Sequence, residues 1–324
     1  TGIRPTRLYY QQLENGKTRG EARHTLQDLF DLSQEKIDLL DEILDAQQGM
    51  MDRRARACDV YIGIPFCTTR CAYCSFSSGE IGDGRLVEPY LAALLHEIEA
   101  CAEMAREMGL HIRVGYIGGG TPSSLTTPQL DRLLAHVERH FGALAEFTVE
   151  AGRPDTLDAQ KLRMLRDHPV TRISINPQTM NDATLMRIGR AHTAKQTVEV
   201  YELARSIGFD DINMDLIAGL PFEDLASFGR SFDTVMQIRP QQMQLGFLKV
   251  LKGSYMEQAA PSYGLEYSRH PPFQVIRTRW ISFDDLLLLR DMENAVEDYY
   301  NSSLFPAQIG WMLDQEESAF SFFM

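Results

Sequence analysis

Three cysteines stand within eight residues, as Cys67-x3-Cys71-x2-Cys74, just after the apolar run Val60–Ile64 and the pair Pro65-Phe66. Thiolates at that spacing in one tight loop can hold three corners of an iron–sulfur cube. The fourth iron then has no protein ligand, which is what a cluster needs if it is to bind and reduce a substrate directly. Zinc is the second reading, but a structural zinc normally closes four Cys or His ligands in paired knuckles, and Cys58 and Cys101 stand alone. A catalytic thiolate needs one cysteine with a base, so three would be superfluous; an incidental cluster is the third reading. Cys58 and Cys101 are expected to pack as small apolar side chains. Five cysteines in all, three of them bunched, make poor material for a disulfide framework.

Other residues with chemical potential are Gly118-Gly119-Gly120-Thr121, Glu150, Asn176 to Gln178 and Asp215. The glycine turn lets backbone groups approach a ligand closely, although a tight connection into a helix is the bland alternative. Glu150 could be a solvated strand end, and Asp215 could cap a turn. Their placement decides the matter. Strands are expected at Val60–Ile64, Val114–Ile117, Phe147–Glu150, Arg172–Asn176, Ile212–Ile217 and Met243–Leu248. Helices are expected between them at 86–108, from a cap at Thr127 with Pro128 in the first turn onward, and near 157–167, 182–207 and 223–238. Six strand–helix units imply a parallel sheet with right-handed crossovers but are too few for an eight-fold barrel. The first choice is a partial (β/α)6 TIM-like barrel, an α/β fold; a flat doubly wound sheet is second. All five groups then fall at or just past the C-terminal ends of strands, the rim where parallel α/β folds bind ligands.

The barrel is expected over residues 58–250. Residues 1–57 read as an N-terminal helical appendage, with Ser33 at a helix start and Ile37, Leu40, Ile43 and Leu44 on one face. Residues 251–324 read as a small α-rich region covering the substrate, with a helix from Phe283 to Tyr300. The 324-residue chain carries a net charge of −13, which argues against a general nucleic-acid binder. No run approaches the length of a membrane span, and no basic-then-apolar leader is seen, so a cytoplasmic setting is expected. The chain starts at Thr1 and ends on Phe320-Ser321-Phe322-Phe323-Met324, which suggests a fragment or a processed product.

The cysteine pattern after a strand, with Tyr73 before the last cysteine and the glycine turn further on, resembles the radical S-adenosylmethionine (SAM) superfamily. The resemblance implies a [4Fe-4S] cluster on Cys67, Cys71 and Cys74. It also implies SAM chelated by the open iron and cleaved by one electron, the resulting radical abstracting hydrogen from substrate. Within the superfamily the strings Tyr61 to Cys67, Gly118 to Ser123 and Asn213 to Pro221 are similar to the oxygen-independent coproporphyrinogen oxidase group, and Thr1 to Thr6 with Arg172 to Asn181 to its HemZ branch. By that resemblance Tyr61, Tyr73, Gly119, Gly120, Thr121, Glu150, Gln178, Arg190 and Asp215 contact SAM, and no catalytic side chain is implied beyond the cluster-bound cofactor.

That likeness runs over about residues 1–221. Beyond it, Phe222-Glu223-Asp224, Gln244 to Gly253 and Tyr299 to Ser302 are similar to radical SAM proteins that carry a cobalamin domain, although no Asp-x-His-x-x-Gly motif is present. A recombined sequence is one reading of the change. Cys74 is followed by Ser75-Phe76, where decarboxylating relatives have another cysteine two places on; haem-trafficking relatives share the phenylalanine. The leading expectation is oxidative decarboxylation of a porphyrinogen, coproporphyrinogen III, in porphyrin biosynthesis, with a flavodoxin or ferredoxin as electron donor. A radical SAM enzyme of different substrate is second, and a haem carrier that keeps its cluster is third.

Overall fold

A computed structural model describes residues 5–47 and 56–324, in two compact units that divide between Arg56 and Ala57. In the first unit the helices α1 (Pro5–Glu14), α2 (Arg19–Phe30) and α3 (Gln34–Ala46) enclose a small core of their own. Ser33 caps α3 by accepting a hydrogen bond from the Lys36 amide, and Ile37, Leu40 and Leu44 form its buried face. Of the string Thr1 to Thr6, residues 1–4 lie outside the described residues.

The second unit is built on six parallel strands hydrogen-bonded in sequence order. They are β1 (Ala57–Ile64), β2 (His111–Gly119), β3 (Glu146–Gly152), β4 (Arg172–Ile175), β5 (Ile212–Ala218) and β6 (Gln242–Phe247). Helices α4 (Val87–Glu107), α5 (Thr127–Phe141), α6 (Ala159–Asp167), α7 (Asp182–Arg187), α8 (Ala194–Ile207) and α9 (Leu225–Gln237) return the chain from one strand to the next. Apolar residues at helical spacing drive this assembly: Leu130, Leu133, Leu134 and Val137 of α5 are fully buried, as are Phe147, Ile173, Met214 and Met243 on the strands. Strands β1 and β6 are not paired with each other, so the sheet is the open, TIM-like partial barrel. Helices α10 (Tyr255–Tyr263), α11 (Phe283–Ala295), α12 (Pro306–Gln315) and α13 (Ala319–Phe323) follow within the same unit.

Several expectations are corrected. The cap of α5 is Thr126, not Thr127, because Thr126 completes a capping box with Gln129. The single helix expected at 182–207 is two, α7 and α8. Gly189 interrupts it at φ +80°, and a side chain there would stand 3.0 Å from the Arg70 carbonyl. Thr193 then starts α8 with a new capping box on Gln196. Strand β3 runs on past Glu150 to Gly152, whose carbonyl accepts from the Asn176 amide at 2.7 Å. Asp215 is not at a strand end but fourth in β5, on the face opposite to buried Met214 and Leu216. The helix from Phe283 changes to a π-turn over Val296–Asn301. Cys58 is half-buried against the core as expected, whereas Cys101 lies exposed on α4.

One buried carboxyl ties the β4 loop to α9. The Thr179 hydroxyl donates to Glu223 Oε1, the Met180 amide donates to Ser231 Oγ at 3.1 Å, and Glu223 Oε2 has no partner. Burial pushes the Glu223 carboxyl up to about 7. Between its unfolded pKa of about 4.3 and this value the folded chain holds the extra proton, so stability falls as pH rises through that window, by up to roughly 4 kcal/mol from this one group. Glu223→Gln is expected to flatten that decline and to leave the protein more stable at pH 8 than the parent. Urea titrations at pH 5 and pH 8 check it; an unchanged pH slope in the variant refutes the assignment.

Candidate functional site

The loop after β1 is held from four sides before any ligand is considered. Phe66–Cys67 pairs with Gly79–Glu80 as a short parallel bridge, and the Ile81 amide donates to the Cys67 carbonyl at 2.8 Å. The Cys74 amide turns back to the Cys71 carbonyl at 3.0 Å. The Ala72 amide donates to Ile188 at 3.0 Å, and the Met256 amide donates to the Ala72 carbonyl at 2.8 Å. Thr69 donates its hydroxyl to the Gly189 carbonyl at 2.6 Å and accepts from Arg153 Nη1 at 2.7 Å. Backbone bonds of this kind fix where the three thiols project.

All three cysteines open on one cavity of about 370 Å³ at the C-terminal rim. The Thr121 hydroxyl points at Cys67 Sγ from 3.5 Å. Beside it the glycine turn leaves β2: the Gly120 amide donates to Ile64 and the Thr121 amide to Phe66, both at 2.7 Å. A side chain on Gly120 would stand 2.6 Å from the Phe66 carbonyl and 2.9 Å from Cys67 Sγ. The turn is therefore a cradle that only glycine keeps open.

The opposite wall is polar. Tyr73 donates to Gln178 Oε1 at 2.9 Å and accepts from Arg190 Nη2 at 3.1 Å, while Arg190 Nη1 donates to the Asn176 carbonyl at 2.7 Å. Gln178 has φ +69° and is pinned by its amide to the Asp215 carbonyl and by its carbonyl to the Ile217 amide. Non-glycine residues in that region carry about 1–3 kcal/mol of strain, and they cluster at functional sites. Burial pushes the Tyr73 phenol far up, so it remains a hydroxyl. Burial also pushes Asp215 up to about 6, against the pull of Arg190. Glu150 is raised by burial as well, offset by the Tyr116 hydroxyl at 2.6 Å and by the Gly119 amide.

Asn176 Oδ1, Arg190 Nε and Asp215 Oδ1 are buried without hydrogen-bond partners, and all three residues line the cavity. Unsatisfied buried groups converging with thiols and an open glycine cradle suit a polar ligand of both charges. A cubane cluster with SAM on it has those needs. Mononuclear zinc fits less well. Its ligands must sit about 3.8 Å apart for Zn–S bonds of about 2.3 Å. Among the described residues only Glu99, His136 and His140 bring three donor atoms within 4.8 Å of one another, so the three thiols are more widely spread.

Of the residues named from sequence, Tyr73, Gly119, Gly120, Thr121, Glu150, Gln178, Arg190 and Asp215 share the cavity with the cysteines. Tyr61 does not. It is 63% exposed, stacks on Tyr116 at 5.7 Å, and lines an adjoining cavity that shares Phe76, Gly119, Gly120 and Glu150. Sequence reasoning missed Arg153 and Gln244, both on the main cavity, and Tyr116 behind Glu150. Arg153 is buried and paired with Asp155 at 3.1 Å. A charged residue directly before Pro154 at a strand end was the available signal; Gln244 opened a string similar to other radical SAM proteins but was given no role.

A model of the radical SAM superfamily matches residues 61–235, more than half of the chain. The chain belongs to the radical SAM superfamily. Its cofactors are those of the superfamily, a [4Fe-4S] cluster and S-adenosylmethionine. It is 38% identical over 270 residues to the oxygen-independent coproporphyrinogen-III oxidase-like protein HemZ of Bacillus subtilis, covering 81% of this chain and 54% of that one. It is 39% identical over 181 residues to the haem chaperone HemW of the same organism, covering 55% of this chain and 47% of that one. The solved structure of coproporphyrinogen III oxidase (HemN) from Escherichia coli superposes with a TM-score of 0.58 at 27% identity, covering 66% of this chain and 49% of that one. The chain thus spans about half the length of the curated relatives it matches. The HemZ match takes in more of the chain than residues 1–221 provide, so the likeness reaches past Pro221. Residues 261–324 also match a family described as a protein of unknown function (DUF4080). Among the described residues no helix is long and apolar enough to cross a membrane.

Proposed function

We propose that this radical SAM protein acts on a porphyrinogen, removing hydrogen and carbon dioxide from propionate side chains of coproporphyrinogen III without oxygen. The observation that carries the reading is the single cavity joining three thiols, a glycine cradle and a polar wall, in a chain 38% identical to HemZ. When bound, the cluster and SAM supply a one-electron cleavage that generates a hydrogen-abstracting radical; the propionate left one hydrogen short would then release carbon dioxide and pass one electron to a separate one-electron acceptor as the vinyl forms. Cys67, Cys71 and Cys74 would hold the cluster, with the Thr121 hydroxyl donating toward Cys67. Gly119, Gly120 and Glu150 receive the cationic end of SAM. Tyr73, Gln178, Arg190 and Asp215 order its polar groups, and Tyr61 borders it from the adjoining cavity. Arg70, exposed on the cavity, offers charge to a substrate carboxylate. Residues 251–324 would cover the substrate, and a flavodoxin or ferredoxin in the cytoplasm would supply electrons.

The test is anaerobic incubation of the reconstituted protein with coproporphyrinogen III, SAM and dithionite, with chromatography of tetrapyrroles and nucleosides. Vinyl products formed in step with 5′-deoxyadenosine are expected. Release of 5′-deoxyadenosine without vinyl products counts against this substrate. A second reading rests on Phe76, which is 67% exposed and lines both cavities where decarboxylating relatives carry cysteine. Stoichiometric haem binding with no 5′-deoxyadenosine would identify a carrier instead.

A further inference from the structure

On the outer layer of the barrel, α4 and α5 bring Glu99, His136 and His140 together. His136 and His140 are one helical turn apart and so project from the same face of α5. Their rings lie 4.3 Å apart. Glu99 Oε1 sits 3.4 Å from His136 Nε2 and 3.7 Å from His140 Nε2. The ligand atoms of a tetrahedral ion with metal–nitrogen bonds of about 2.0–2.1 Å stand about 3.4 Å apart. Glu99 already stands near that spacing from each imidazole, and all three donor atoms lie within 4.8 Å of one another.

A second observation points the same way. His140 Nε2 is shut off from solvent and makes no hydrogen bond. It lies 3.7 Å from the half-exposed Glu99 carboxylate, beyond hydrogen-bond reach, so an ion placed between them would meet both groups. His136 Nε2 does have a partner, the Leu95 carbonyl at 2.9 Å. That carbonyl is interior to α4, where helix geometry gives it an amide donor four residues on, so releasing the ring orphans nothing.

We propose that Glu99, His136 and His140 form a second metal site, separate from the cysteine loop, that takes a divalent ion of the zinc or copper class. Two imidazoles and one carboxylate select against magnesium and calcium, which prefer all-oxygen shells. Glu99 is half exposed, so water can fill a fourth position. Because the ligands come from two helices, the ion clamps α4 to α5. Helices in this fold run antiparallel to their strands, which places the last turn of α5 toward the rim opposite the cavity.

The test is zinc titration of the full chain carrying serine at Cys67, Cys71 and Cys74, against a chromophoric chelator, repeated on the cluster-loaded parent. Both should retain one zinc per chain. Adding His140→Gln or His136→Ala should weaken it by about a hundredfold or more, since losing even an outer partner of a metal ligand costs about 10–100-fold. Zinc should also raise the unfolding temperature of the parent and not of the His140→Gln chain. With one equivalent of copper in place of zinc, electron paramagnetic resonance should show two nitrogen ligands. The proposal is overturned if the serine variant holds no zinc at micromolar concentration. It is equally overturned if folded His136→Ala and His140→Gln chains bind zinc as the parent does.

Discussion

Alanine in place of Cys67, Cys71 or Cys74, one at a time, is expected to abolish both the iron–sulfur absorbance after anaerobic reconstitution and the release of 5′-deoxyadenosine from SAM. Three thiolates are the fewest that can seat a cube while leaving an iron open, so the loss of any one uncovers a second iron and the cluster falls away. The three cysteines are half-buried, and the loop is carried by backbone bonds to Ile188 and Met256 and by the Thr69 hydroxyl on the Gly189 carbonyl. Apo-protein stability should therefore change by less than about 1 kcal/mol, because little packing is removed. Cys58→Ala and Cys101→Ala are the controls and should keep cluster and product. Measurements of iron, acid-labile sulfide and nucleoside on all five variants decide it. A single-cysteine variant that retains full iron and turnover would remove that residue from the ligand set.

Gly120→Ala is expected to have the next largest effect, although it alters no ligand. The added methyl would meet the Phe66 and Ile64 carbonyls at 2.6 and 3.0 Å and Cys67 Sγ at 2.9 Å. None of these is the free end of a flexible side chain. Both carbonyls also accept amides from the turn itself, so relief must come from moving the turn off β1. Overpacking of that kind costs about 1–3 kcal/mol. The larger consequence falls on the site: a shift near 1 Å between the turn and Cys67 can lower the rate about a hundredfold. Gly310→Ala is the matched control, because nothing lies within 4 Å of its added carbon in α12. Nucleoside release and unfolding free energy should separate the two variants; equal behaviour would show that the cradle has no such close approach.

The cysteine loop was legible because the chemistry is local: three thiols within eight residues have the same reach whatever surrounds them. The barrel was legible too, since buried parallel strands read as short apolar runs and their helices as periodic ones. The breaks were harder. Gly189 sits in a pattern that reads as continuous helix, but it closes α7 locally, its amide donating to Met186 and the Arg190 amide to Leu185, while the nearby Arg70 carbonyl leaves no room for a side chain there. That break, and not a helical register, is what delivers Arg190 to Tyr73 and Asn176.

Sequence alone determined the family, the parallel α/β class and the bunching of three thiols in one loop, because each follows from spacing along short segments. Tertiary structure decided the rest. Asp215 became an inward-facing mid-strand carboxyl opposite Gln244 of β6, Arg153 became a buried brace of the cysteine loop, and Glu99 met two histidines of another helix. Each of these depends on residues dozens of positions apart, whose meeting is fixed by the packing of elements and by nothing in their local sequence.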